Sequence, residues 1–186
     1  MDRAVAPVIS TILLVAIAVI LAATISVFVL GFGEEVEETA PVVGQSSGEF
    51  VGDISGSNDQ IVRIRHVAGD SIDVSNMEIV VSTCGKTTRI TNLPATRYTP
   101  TYIPFDENRN FEGDQDLISE GQPGQSWNAG VLHEDTDNTF KADAEFEFRI
   151  NNAPNGCDLS PGDRVTVRVI HVPTNAVVIE QELTAR

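Results

Sequence analysis

Residues 4–33 read AVAPVISTILLVAIAVILAATISVFVLGFG, thirty positions without one charged side chain. About 20 apolar residues suffice to cross a hydrocarbon core. As a helix, at about 1.5 Å per residue, the run would reach roughly 45 Å. A secretory signal has a shorter apolar region, about 7–15 residues, and ends in a small-residue cleavage site. The continuation VFVLGFGEEVEE offers no such site. The run is therefore expected to be kept as a membrane helix. Arg3 lies before it and Glu34, Glu35, Glu37 and Glu38 lie after it. Orientation follows arginine and lysine rather than acidic residues, so Arg3 favours a cytoplasmic N-terminus. The remaining residues then belong outside the cell.

The helix carries more pattern than an anchor needs. Pro7 falls in the first turn, where its missing N–H costs no helical bond. Ser10, Ala18, Ala22 and Ser26, at multiples of four, are expected to fall on one face, and Ala16 and Ala23 add a second strip of small residues. Small residues let helix backbones approach closely inside lipid. The plainer reading is that alanine is a good helix former. Gly31 and Gly33 offer a stop or hinge.

Beyond the helix the chain is acidic. The net charge is −15, and Asp2 and Arg3 cancel, so the excess belongs to residues 34–186. Such a surface repels phosphate backbones, and nucleic acid is not an expected partner. Lys86 and Lys141 are the only lysines. The composition reads either as an ordinary acidic domain or as adaptation to high salt, where screening relieves carboxylate repulsion; the second is preferred. Cys84 and Cys157 either bridge, which an extracellular location permits, or stay as two buried thiols. A bridge closing so long a loop would contribute about 4 kcal/mol in the chain-entropy model.

Residues 34–60 are rich in Glu, Gly and Ser and read as a linker or a loosely attached first strand. From Ile61 the pattern has period two. Val62, Ile64 and His66 should face one way, with Arg63 and Arg65 opposite. Met77, Ile79 and Val81 make a second strand, and KTTRIT is its expected partner. In AEFEFRI, Phe146, Phe148 and Ile150 should point inward and Glu145, Glu147 and Arg149 outward. Val165, Val167 and Val169 form another inward row, and Val177, Ile179 and Leu183 a last one. Residues 94–138 are less regular, and Trp127 is expected to anchor the core beneath them. The expected class is α+β: a long hydrophobic N-terminal helix over residues 5–33, then a mainly antiparallel two-sheet β-sandwich over 61–186.

No catalytic, cofactor or metal site is expected. GQSSG at 44–48 matches a nucleophile elbow, but that motif needs a tight strand-to-helix turn, and EFVGDISGSNDQ follows without helical period. DENRNFEG from Asp106 begins like a calcium loop, yet Phe111 and Leu117 stand where an EF-hand needs Gly and Glu. A looser acidic site at Asp106, Glu112, Asp114 and Asp116 competes with a solvated acidic loop, the default. His66, His133 and His171 lack metal-ligand spacing; His66, before VAGD, suits a strand-end residue bonding a turn. No N-x-[S/T] sequon occurs.

The stretch RAVAPVISTILLVAIAVILAATISVFVLGFG resembles the N-terminus of archaeal type IV pilins, especially those of halophilic archaea. The resemblance implies that a prepilin peptidase cuts between Ala4 and Val5, after Arg3, leaving residues 1–4 as a leader and keeping the helix. That leader, MDRA, is shorter than is usual in the family, and Ile9 stands where bacterial pilins carry glutamate. VRIRHVAGDSIDVSNMEIVV and SPGDRVTVRVIHVPTNAVVIEQELT are similar, less specifically, to elements of the same class, whose C-terminal domains are β-rich. The implied function is a non-enzymatic subunit, held in the membrane and then polymerised with its own copies by assembly machinery. The helices would form the filament core, and surface adhesion would be the role. The competing expectation is a single-span anchored domain that binds solutes or partners and stays in the bilayer.

Overall fold

The structure, a computed structural model, describes residues 5–31, 39–51, 60–95, 105–120, 129–134 and 137–186; within the first stretch side chains are described for 7–27. The chain divides into two compact units, Met1–Glu38 and Thr39–Arg186. The expectations for Arg3, Ala4 and Trp127 fall outside the described residues.

The first unit is helix α1, Val5–Gly31. Its described large apolar side chains all stand 50–71% exposed. One helix of the described chain, Pro7–Val27 by this measure, is long and apolar enough to cross a membrane.

The second unit is an antiparallel β-domain. Its strands are β1 (Val43–Val51), β2 (Ile61–Gly69), β3 (Ile72–Asp73), β4 (Met77–Thr83), β5 (Lys86–Ile90), β6 (Phe111–Gly113), β7 (Thr139–Phe140), β8 (Glu145–Arg149), β9 (Arg164–His171) and β10 (Ala176–Thr184). A single turn of helix, α2 (Glu107–Asn110), precedes β6. They form a three-stranded sheet in the order β1-β2-β8, a five-stranded sheet in the order β10-β9-β4-β5-β6, and a ribbon of β3 and β7. Val62, Ile64, Phe146 and Phe148 from the first sheet join Ile79, Val81, Val165, Val167, Val169 and Leu183 from the second in one buried cluster. Together with α1, this is the α+β class expected from the sequence.

The alternating segments become strands because one face of each buries its apolar residues. β4 alternates without a fault, with Met77, Ile79, Val81 and Thr83 buried. The opposite face of β2 follows the prediction less simply. Arg63 stands between Glu49 of β1 and Glu147 of β8. Its guanidinium donates from Nη1 to Glu49 Oε1 at 3.1 Å and from Nη2 to Glu147 Oε1 at 2.5 Å. Glu147 is its strongest partner and raises the Arg63 pKa above its ordinary value.

Glu147 and Arg149 themselves depart from the sequence reading. Both are buried, at 6% and 4% exposure, rather than outward in water. Residues 117–119 close the free edge of β8: Ile118 bridges Ile150, and Ser119 N–H donates to Arg149 O at 2.8 Å. The alternation separates the apolar face from the charged one, but a period of two says nothing about edge pairing or about partners such as Arg63 that bury charged side chains. Replacing Arg63 with Met should remove bonds to ionised partners and destabilise the domain by about 1.5–3 kcal/mol. Denaturant unfolding measures this, and a change under about 0.5 kcal/mol, the usual range for an uninvolved surface site, would refute it.

Two further differences have local causes. The alternation puts Val177 in the inward row, but it is 52% exposed. A β-bulge between Val177 and Ile179 shifts the register against β9, so the buried phase starts afresh at Ile179. Within residues 34–60, Val43–Val51 is a full edge strand along β2, the second of the two options for that stretch. Gly48 packs closely there: a Cβ would lie 2.9 Å from Leu183 Cδ2 and 3.0 Å from Ile64 Cδ1, and those side-chain ends would have to shift.

Cys84 and Cys157 are joined, their Cα atoms 6.1 Å apart. The bridge ties the β4–β5 turn to the loop before Leu159.

The ribbon is organised by two carboxylates. Asp73 Oδ1 accepts the Ser75 N–H at 2.8 Å and the Ser75 hydroxyl at 2.7 Å; the hydroxyl and then the N–H hold its pKa below the ordinary range. Asp137, across the ribbon, is lowered first by Lys141, whose Nζ lies 2.5 Å away, and then by the Thr139 N–H. A carboxylate depressed on folding adds stability above its unfolded value, about 3.9, and loses it as pH falls through the lower folded value. Carboxyl titration by NMR should therefore place both midpoints below that of an ordinary Asp. Asp73→Asn should abolish the acid response at the Ser75 amide and spare that at Thr139. Midpoints at or above the ordinary value would contradict this.

Candidate functional site

An all-apolar helix is unfavourable in water unless lipid or other helices cover it. The polar residues of α1 are arranged to permit that cover. Thr11 Oγ1 donates to Val8 O at 2.9 Å, and Thr24 Oγ1 to Leu21 O at 2.9 Å. Ser26 Oγ donates to Ala22 O at 2.8 Å. Each hydroxyl thus spends its proton on the helix's own carbonyls and needs no water. Sequence reasoning singled out Ser26 for its size and passed over Thr11 and Thr24. Their signal was available: hydroxyl residues with a helical carbonyl three or four positions back.

Ser10, Ala18, Ala22 and Ser26 all lie on described turns of α1, fully open to contact. The Ser26 hydroxyl ties that residue to Ala22 O within the row. At about 100° per residue, each step of four positions turns about 40° past a full turn, so the four residues do not share a single straight face. The four residues therefore make a slanted ridge rather than a straight seam. Such ridges pack against a neighbour at a crossing angle. α1 begins at Val5, next to the expected cleavage position.

On the β-domain, the motifs weighed for chemistry take structural roles. GQSSG lies inside β1, with Ser46 opposite His66 and Ser47 opposite Arg65. Ser46 Oγ accepts a bond from Gln181 Nε2 at 2.9 Å. This is extended edge strand, not a strand-to-helix turn. Asp106 caps α2, its Oδ1 accepting the Asn108 N–H at 3.0 Å. Asp114 Oδ2 accepts the Thr87 N–H at 2.8 Å. His66 is buried at the core side of β2, and its Nε2 lies 2.9 Å from Asp70 O, which pins the turn after that strand. Its ring also meets Phe140 edge-on at 5.3 Å. Among the described residues no three His, Cys, Asp or Glu side chains gather as metal ligands would.

Comparison with known proteins bears on the same segment. Residues 3–44 match the family model for the archaeal type IV pilin N-terminal domain. An uncharacterised protein of Archaeoglobus fulgidus is 37% identical over 81 residues, which is 44% of this chain and 53% of the relative. The chain thus aligns with about half the length of that curated relative. The N-terminal match covers the whole of α1 and falls on the residues that carried the sequence resemblance.

Proposed function

We propose that this chain is a structural subunit of an archaeal type IV filament. The observation that carries the reading is α1: an uncharged apolar helix with its hydroxyls bonded internally, lying inside the segment matched by the pilin N-terminal family. In the bilayer, lipid satisfies such a helix. In the filament, neighbouring copies replace lipid, with the slanted ridge of Ser10, Ala18, Ala22 and Ser26 allowing close approach. Through the exchange the hydroxyls of Thr11, Thr24 and Ser26 keep their bonds to the helix's own carbonyls.

Before assembly the chain sits in the cytoplasmic membrane with its N-terminus inside, and a prepilin peptidase cuts between Ala4 and Val5. The acidic β-domain lies outside and keeps the filament solvated; surface adhesion is its role. Support for the processing step comes from the family resemblance around Arg3, Ala4 and Val5.

Intact-mass measurement on cell-surface filaments tests the proposal. The expected result is a chain lacking its first four residues and otherwise whole. An uncut chain confined to membranes would instead favour a single-span anchored domain. The salt-adapted reading has its own test. The β-domain should melt higher in multimolar salt than in dilute buffer, because screening relieves its net negative charge. Equal melting would dismiss it.

A further inference from the structure

Among the described residues of the β-domain, the large apolar side chains left exposed are four valines: Val42 at 67%, Val177 at 52%, Val172 at 45% and Val67 at 39%. They come from three parts of the chain, yet the strand register gathers them at one end. Val43 stands opposite Gly69, so Val42 and Val67 share the end where β1 begins. Ala176 stands opposite His171, so Val172 and Val177 flank the β9–β10 turn. β10 runs beside β1 in the same direction: Gln181 Nε2 donates to Ser46 O at 3.2 Å, and two residues further on Gly48 faces Leu183. The starts of β1 and β10 therefore lie at the same end. The carboxylate bonded to the rim is Asp70, whose Oδ2 accepts the Val42 N–H at 3.0 Å.

We propose that this valine rim is the surface through which the β-domain meets the β-domain of the next copy in the filament. The inference rests on the assembly reading above and names the contact that reading leaves open. The chain carries a net charge of −15, so two copies repel over most of their surfaces. At the rim, apolar area leaves water without carboxylates being stacked on carboxylates. Four valines fall far short of the roughly 800 Å² per partner that a stable complex buries, so the rim does not dimerise free chains. It acts once the packed helices hold neighbours at high effective concentration.

The test uses the full chain, with a photo-crosslinking phenylalanine analogue at position 177 or, as control, at 112 on β6. In filaments, position 177 should yield roughly fivefold more crosslinked dimer than 112, and detergent-dispersed chain should yield little from either. Val177→Asp should lower the temperature at which filaments dissociate without changing the unfolding of the dispersed chain. Crosslinking at 112 equal to that at 177, or crosslinks from 177 to lipid alone, would overturn the proposal and leave the assembly reading standing. Absence of the chain from filaments would overturn both.

Discussion

Ile17→Arg, near the middle of α1, should remove the protein from surface filaments. An arginine at a helix centre costs about 2.5–3.5 kcal/mol for insertion into a bilayer, on the scale derived from insertion measurements. A packed core of identical helices is no kinder. Residues 4–33 carry no charge of either sign, so no counter-ion comes with the neighbouring copies. At about 1.4 kcal/mol per factor of ten, the loss should be roughly 50-fold or more. Ile17→Leu, similar in volume and equally apolar, should assemble as the parent does. Thr11→Val and Thr24→Val should also be tolerated, because each hydroxyl bonds only its own helix in the structure. Fractionation of filaments, membranes and medium reads all four variants. Normal assembly of the arginine variant would show that α1 is not buried in the filament.

Loss of the Cys84–Cys157 bridge should give the largest drop in stability of the β-domain. The bridge spans a sequence separation of 73, and removing a native disulfide of this kind typically costs about 2–5 kcal/mol. For a domain of about 150 residues this corresponds to roughly 5–20 °C in melting temperature. The position of Cys84 separates two contributions. Cys84 and Gly85 form the two-residue connection between β4 and β5, with φ of 54° and 73°. Both central residues of that tight turn need positive φ, which favours Asn or Asp before Gly. Cysteine has no such preference and is held there by the bridge. Cys84→Asn with Cys157→Ala should therefore retain the turn and lose only the cross-link. Cys84→Val with Cys157→Ala should lose about 1–2 kcal/mol more, the penalty of a β-carbon in the left-handed region. Denaturant unfolding of the full chain in detergent, with and without reductant, compares them. Equal stability of the two double variants would show that the turn does not depend on its first residue.

Sequence alone determined the helix, the α+β class and the apolar phase of most strands. Thirty uncharged residues leave a helix no environment but lipid or other helices. Alternation in residues 62–66, Met77–Thr83 and Arg164–His171 gives each of these stretches a buried face. These patterns are local, and local patterns survive without knowledge of partners. The small-residue ridge of α1 could be read in the same way. What covers that ridge is a matter of other chains.

The tertiary structure decided whatever depended on a neighbour distant in sequence. Residues 117–119 pair with the edge of β8 and Arg63 bonds Glu147, contacts from segments distant in sequence that the alternation of β8 does not show. The bulge that turns Val177 outward is set by the pairing of β10 with β9, not by the alternation of β10 itself. β1 is composed like a linker and becomes a strand because β2 offers it a ladder, with Gly48 packed closely against Leu183 of β10. The valine rim is the clearest case. Val42, Val67 and Val172 carry no signal singly and Val177 reads as inward, and only the strand register brings the four to one end. Hydrophobic periodicity tells which side of a strand seeks cover; long-range pairing decides which surfaces receive it and which are left for another copy.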